Sequence, residues 1–194
     1  MKRKFMVGAK RVLVVGSAEQ SGGGVASVIK LMKSMPAWEK FHCHWLGTQI
    51  QRNYVWKLWF ALKANFQALF IIWKYDIVHF HTVPDRICLI IQLPVFLLAL
   101  ISCKKIIMHI HMGNQLIHHT NNTLFKWCLS RANLIILLAH KWEKLFLENF
   151  PDIKTPTTVL YNVCEIIPEV PLCEKENIIG SSAFPVGRLG ISHS

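Results

Sequence analysis

The segment Arg11-Val-Leu-Val-Val-Gly-Ser-Ala-Glu-Gln-Ser-Gly-Gly-Gly-Val-Ala-Ser-Val-Ile-Lys-Leu-Met32 decides the fold of this 194-residue chain. Its first part, Val12 to Val15, is a short apolar run of the kind found in strands that are buried on both faces of a parallel sheet. Three glycines follow, and apolar residues then recur at helical spacing, at Val25, Val28, Ile29 and Met32. We therefore predict a strand, a glycine-rich turn and a helix that begins at about Gly23 or Gly24.

This arrangement aims backbone N–H groups and the positive end of a helix dipole at an anion. Glycine carries no Cβ, so a phosphate or sugar can approach the backbone closely at Gly22, Gly23 and Gly24. Together with Gly16, these residues do not form G-x-G-x-x-G, and no Walker lysine follows, which argues against a dinucleotide enzyme. Two interpretations stay open: an anion or sugar site, or a tight turn without a ligand.

Composition narrows the classes of function. The chain is 52% hydrophobic and carries a net charge of +11, from 22 Lys and Arg against 11 Asp and Glu. Such a balance favours contact with an anionic membrane face or with anionic substrates. Nucleic acid is less favoured as a partner, because the basic residues are scattered and no recognised binding motif is present. Six widely spaced cysteines without a C-x-x-C pair indicate reduced thiols in a cytoplasmic protein.

Apolar strands and helices alternate along the rest of the chain. We predict strands at 41–46, 76–81, 104–111, 132–138 and 157–160, and helices at 54–73, 87–101, 123–131 and 141–150. Alternation of this kind predicts an α/β fold, a Rossmann-like doubly wound parallel sheet with helices on both faces. Such sheets bind ligands beyond the carboxyl ends of their strands.

The helix predicted at 54–73 is crowded with aromatic side chains, with Lys57 and Lys63 between them. One interpretation is that this stripe packs into the core. The other is that it forms a surface that faces a membrane or an acceptor.

Three His-x-His pairs occur, at His42/His44, His79/His81 and His109/His111. Period two places both members of a pair on one face of a strand, where they can bind a metal. We nevertheless expect no metal site, because no carboxylate or cysteine lies at a helpful spacing and neighbouring pairs need not face the same direction. A histidine at a strand's carboxyl end can instead hydrogen-bond a substrate hydroxyl or phosphate, and His111 is the first candidate. The alternative is a structural histidine bonded to a loop carbonyl.

The character of the sequence changes beyond Pro168. We predict one Rossmann-like domain over residues 1–168, followed over residues 169–194 by a linker and the start of a second domain.

Five segments in this order resemble the amino-terminal domain of the family 4 glycosyltransferases, retaining enzymes of the GT-B fold, over most of the chain. They are Ser21-Gly-Gly-Gly-Val-Ala26, Asp76-Ile-Val-His-Phe-His81, His109-Ile-His-Met-Gly113, Ala132-Asn-Leu-Ile-Ile136 and Val159-Leu-Tyr-Asn162. The last segment has Val163 where the family usually has glycine.

The resemblance implies that the first domain binds the acceptor and that His111, the catalytic candidate, faces the reacting sugar. It places Gly23 and Gly24 near the donor's phosphates, and Arg188 at the opening of the donor-binding domain. The implied donor- or substrate-binding residues are Gly22, Gly23, Gly24, His81, Gly113, Asn162 and Arg188.

The implied activity is that of a hexosyltransferase. It moves a sugar, with retention, from a nucleotide-sugar substrate to a polysaccharide or lipid-linked acceptor at the inner face of the plasma membrane. No cofactor, metal or nucleic acid is implied. The later lysine and the paired glutamates of the family are not found in the sequence, so we expect a truncated enzyme that is inactive alone. The alternative is a non-catalytic, membrane-associated module that binds a sugar or an anion.

Overall fold

Six strands form one sheet in the computed structural model, which describes residues 10–50, 52–111 and 113–162. The strands are β1 (Val12–Ser17), β2 (His44–Gln49), β3 (Ile77–Thr82), β4 (Lys105–Ile110), β5 (Leu134–Leu137) and β6 (Thr157–Val159). Every neighbouring pair is parallel, and the order across the sheet is β2-β1-β3-β4-β5-β6. The predicted parallel α/β sheet is confirmed.

The helices are α1 (Gly24–Lys33), α2 (Pro36–Lys40), α3 (Tyr54–Ile71), α4 (Arg86–Ile101), α5 (Thr123–Arg131) and α6 (His140–Asn149). Two 3₁₀ turns, Ile72–Lys74 and Gly113–His119, follow α3 and β4. The short helix α2 was not predicted, although Pro36 at its first position is a known start signal. The predicted boundary at residues 168 and 169 lies outside the described residues.

The strand predicted at 41–46 begins three residues later than expected. Residues 41–43 form the turn that leaves α2, where the amide of His42 donates to the carbonyl of Glu39 and His42 takes a positive φ of 44°. His42 therefore lies outside β2, so the prediction that His42 and His44 share one face of a strand is wrong.

Alternate residues of the strands face two different layers of helices. On one face, Val15, Phe80 and Met108 lie side by side in register and belong to the core that α3, α4, α5 and α6 complete. On the other face, α1 packs closely against β1 and β3. A Cβ added at Gly16 would lie 2.6 Å from Cδ1 of Ile29 and 3.2 Å from Cβ of His81.

Helix α3 packs on the sheet through small residues and turns its large apolar residues outward. Its buried stripe is Ala61, Ala64 and Ala68, spaced so that they share one face. The exposed side chains of α3 include Trp56, Trp59, Phe66 and Phe70, and Trp73 in the following 3₁₀ turn is also exposed. The accessible fraction is 58% for Trp59 and 64% for Phe66. The interpretation of this aromatic stripe as core is therefore wrong.

Within the described residues, one helical segment is long and apolar enough to cross a membrane by length and composition alone. It spans Tyr54–Lys74, has a mean hydropathy of 1.2 and is 22% buried.

Because Gly47 is closely packed, we predict that adding a methyl group there lowers the stability of the fold. A Cβ at Gly47 would lie 2.7 Å from Cα of Ala18, whose amide is held by a 2.6 Å hydrogen bond to the carbonyl of Gln49. Because backbone rather than a flexible side chain must move, we expect Gly47→Ala to lower the free energy of unfolding by about 1–3 kcal/mol. Urea denaturation measures the change.

The matched control is Gly24→Ala, where the new Cβ meets nothing within 4 Å. Alanine is favoured over glycine in helices by up to about 1 kcal/mol, so this variant should be as stable as the parent or more stable. Equal stability of Gly47→Ala and the parent protein would contradict the packing argument.

Candidate functional site at the carboxyl ends of the strands

The sheet has its topological switch point between β1 and β3. Strand β2 lies on one side of β1, and β3 lies on the other side of β1. In open α/β sheets, the crevice at such a point binds ligands. A cavity of about 430 Å³ opens at this edge. Its lining comes from the ends of β1 and β2, the loop after β3 and the first turns of α3 and α4: Ser17, Ser21, Gln49, Ile50, Lys57, Val83, Asp85, Ile87, Cys88 and Ile91.

The glycine-rich loop leads directly into α1, which begins at Gly24 as predicted. Gly23 is the N-cap in extended conformation and offers no side-chain cap, and the first turn holds no acidic residue. The first amides of the helix therefore have no side-chain acceptor, and the positive end of its dipole can receive an anion.

Neither packing nor backbone geometry requires glycine at positions 22 and 24. A Cβ at Gly22 or Gly24 would meet nothing within 4 Å, and no glycine in the described ranges has a positive φ. The space beside these residues is available to a ligand.

The structure brings His81 and His111 into contact. His81 lies on β3, and the amide of His111, just beyond β4, donates to the carbonyl of Thr82 at 2.8 Å, which continues the pairing of the two strands. His81 Nδ1 and His111 Nε2 are 3.0 Å apart. The ring of His111 thus bonds another histidine through Nε2, and its side chain is 4% exposed.

His79 and His109 join the same layer. His81 lies opposite His109 in the register of β3 and β4, so both pairs face the same side of the sheet. The ring centroids of His79 and His81 are 4.5 Å apart, and those of His109 and His111 are 4.6 Å apart. The expectation that neighbouring pairs need not share a direction does not hold for these two. The remaining pair is separate, since His44 stacks on Tyr75 instead.

Burial keeps all four histidines neutral. Loss of solvation lowers the pKa of His111 to about 4. For His79, loss of solvation and, to a lesser extent, the neighbouring His111 together lower the pKa to about 4. For His109 the same causes, burial first, lower the pKa to about 2. Burial and the three other histidines hold the pKa of His81 well below its usual range. Neutral imidazoles can donate and accept hydrogen bonds at pH 7, but they supply no positive charge to a phosphate.

The other predicted site residues follow β4 and β6 or lie outside the described residues. Gly113 opens the 3₁₀ turn that follows β4. Asn162 is exposed and follows β6, two strands away from β4, which corresponds to a lateral distance of roughly 10 Å. Arg188 lies outside the described residues.

Sequence reasoning assigned neither Lys57 nor Gln49 to a site, and both line the cavity. Lys57 is the one basic residue among the lining residues, which also include Gln49 and Ser21. Asp85 lines the cavity while its side chain caps α4 by accepting from the amide of Cys88 at 3.0 Å. The signal for Lys57 was present in the sequence as a lysine within an apolar helix.

No protein-family model matches this chain, and no curated protein matches it. Among solved structures, it is similar to HepE from Anabaena in complex with UDP, with a TM-score of 0.46 at 13% sequence identity. The complex of HepE with UDP and glucose gives a TM-score of 0.47 at 13% identity. The two matches cover 80% of this chain and 44% and 45% of HepE, so the chain spans less than half the length of these structures.

The buried histidines predict a loss of stability in mild acid. In the unfolded chain an imidazole titrates near pH 6.5, whereas folded His79 and His111 have a pKa of about 4. Between these values the unfolded state binds more protons. The free energy of unfolding should therefore fall as the pH is lowered from 6.5 to 4, by up to ~1.4 kcal/mol per pH unit for each such histidine. Urea denaturation between pH 7.5 and 4.5 measures this slope.

Replacement of one buried histidine tests the origin of the slope. His79→Leu should make the slope shallower, because one group that binds a proton only after unfolding is gone. His118→Leu, at an exposed position, is the control. Identical slopes for the two variants would show that the buried layer is not responsible.

Proposed function

We propose that this chain is the acceptor-binding, amino-terminal domain of a family 4-like retaining glycosyltransferase of the hexosyl type. One observation carries the proposal. Three motifs that are far apart in the sequence meet at one edge of the sheet: the glycine loop after β1, the end of β3 at His81 and the end of β4 at His111. This edge is the one at which a parallel α/β sheet binds its substrate.

In this proposal the diphosphate of a nucleotide-sugar donor lies at the amino-terminal end of α1. The leaving nucleoside diphosphate gains charge as the glycosidic bond to it breaks, and oriented amides and a helix dipole stabilise that charge. Gly22, Gly23 and Gly24 admit the phosphates. Arg188 would add a positive charge in the donor-binding domain.

His111 is proposed to face the reacting sugar as a neutral hydrogen-bonding group. Its pKa of about 4 makes it unsuited to carry a proton at pH 7, but suited to hold a sugar hydroxyl. The contact with His81 occupies Nε2 of His111 and fixes the orientation of its ring. The nucleotide sugar is a substrate, and no cofactor is part of this scheme.

The acceptor is proposed to be a polysaccharide or, by preference, a lipid-linked glycan at the inner face of the plasma membrane. The cavity at the sheet edge includes Lys57 of α3, and the exposed apolar face of that helix continues from it. Since the alanine stripe holds α3 lengthwise on the sheet, the helix is suited to lie on a membrane rather than cross it. Arg52 and Lys74, at its two ends, suit anionic headgroups.

A second candidate is a non-catalytic module that binds a membrane and a sugar or anion. The exposed face of α3 favours it independently, because membrane contact requires none of the residues at the strand ends.

A charge placed at the first residue of α1 tests the donor site. Gly24→Glu has room for its side chain and a carboxylate suits a helix N-terminus, so the fold should be kept. We expect its affinity for nucleoside diphosphate sugars to be at least about tenfold weaker than that of Gly24→Ala, because the carboxylate occupies and repels the phosphate site. Calorimetric titration with a panel of nucleotide sugars measures this. Equal affinities, or no binding by any variant, would favour the non-catalytic module.

Vesicle binding tests the membrane face. The variant with both Trp59→Ser and Phe66→Ser should bind vesicles containing phosphatidylglycerol at least ~10-fold more weakly than the parent, because each buried aromatic contributes more than about 1.4 kcal/mol. The control is Leu147→Ser, which removes a side chain of similar exposure, 55%, from α6. Co-sedimentation gives the affinities. The membrane role is refuted by equal binding of all three proteins, or by the absence of binding.

A further inference from the structure

The layer of four histidines contains more nitrogen atoms than the protein satisfies. Within the described residues, four buried ring nitrogens have no hydrogen-bond partner: Nε2 of His79, Nε2 of His81, and both Nδ1 and Nε2 of His109. These side chains are between 1% and 7% exposed. Buried polar groups are normally paired, so a cluster of unpaired nitrogens indicates a missing ligand.

We propose that His79, His81 and His109 bind a transition-metal ion of the Zn²⁺ type between β3 and β4. One nitrogen from each of the three rings lies within 4.8 Å of the other two. Tetrahedral Zn²⁺ with bonds of ~2.0–2.1 Å holds its nitrogen ligands roughly 3.3 Å apart. Modest rotation of the rings about their side-chain bonds therefore closes the site without movement of the strands.

The chemistry of the donors selects the class of ion. Three imidazoles suit Zn²⁺, Co²⁺, Ni²⁺ or copper, whereas Mg²⁺ and Ca²⁺ prefer oxygen ligands. Metal ligation requires a neutral imidazole, and burial keeps these three in that form at pH 7. The fourth position of a tetrahedral ion is left for a water, a hydroxide or a small anion.

His111 is the positioning residue of this site. A histidine that ligates a metal through one nitrogen commonly donates the other N–H to a fixed acceptor. Nδ1 of His81 lies 3.0 Å from Nε2 of His111. When His81 donates this hydrogen bond, its proton is on Nδ1 and the lone pair of Nε2 is free for the ion.

The surrounding structure holds the ligands and leaves a route to them. All three ligands come from paired inner strands of the sheet, so their backbones are fixed before the ion binds. A largely apolar cavity of about 180 Å³ reaches His79 from the side of α1 and α2, between Met32, Trp38 and Cys43. The proposed ion joins β3 to β4.

Cobalt and zinc titrations of the chelator-treated full chain test the proposal. We expect one Co²⁺ per chain, with visible absorption typical of a tetrahedral ion, displacement by Zn²⁺, and a higher thermal midpoint with Zn²⁺ bound. His79→Leu and His109→Leu should each weaken Co²⁺ binding at least tenfold. His111→Leu should weaken it by 10–100-fold, the range typical of residues that orient a ligand.

The control variant replaces the adjacent His118 and His119 by alanine, outside the cluster, and should retain the site. Imidazole nitrogen NMR of the unmutated protein gives a readout that does not depend on the folding of any variant: three histidines should show metal-bound nitrogens. Absence of a tetrahedral Co²⁺ spectrum overturns the proposal. So does loss of binding in the His118/His119 variant together with normal binding by His79→Leu. Neither result bears on the nucleotide-sugar titrations, so the two proposals fail separately.

Discussion

The parallel pairing of β3 with β4 is the constraint on which the rest of the structure depends. Its register sets Phe80 beside Met108 on one face and His81 opposite His109 on the other. The first face supports the apolar core, and the second holds a polar layer that water cannot solvate. A shift of the register by one residue would exchange the two faces and place imidazoles in the core. The same pairing thus specifies both the fold and the chemistry of the strand ends.

The two helical layers solve different packing problems. Helix α1 approaches the histidine face closely because Gly16 leaves no Cβ in its way. Helix α3 packs on the opposite face through alanines, and its large side chains point away from the sheet. In both places small residues set the distance between helix and sheet. The large side chains of α3 lie on its exposed surface instead, where they can contact a membrane or another protein.

Most of the architecture was accessible from the sequence because local patterns determine it. Apolar runs and alternation located all six strands, and the patterns placed His79, His81 and His109 correctly on strands, with His111 one residue beyond the end of β4. The direction in which α3 faces was not accessible, since aromatic and alanine positions both recur at helical spacing and only packing decides between them. The convergence of four histidines likewise depends on which strands are neighbours and in what register, which is long-range information. The cavity at the switch point is lined by Lys57 and Gln49. Predicting it would have required both the direction in which α3 faces and the order of the strands.

The outward face of α3 also governs how this protein behaves as a colloid. Exposed aromatic side chains attract like surfaces on other molecules, while a net charge of +11 keeps the molecules apart. Salt shortens the range of that repulsion to roughly 8 Å at physiological ionic strength, yet leaves the apolar attraction intact. Concentrated solutions should therefore tolerate low salt better than high salt. Detergent or lipid should cover the exposed aromatic side chains of α3 and so prevent their contact with other molecules of the protein.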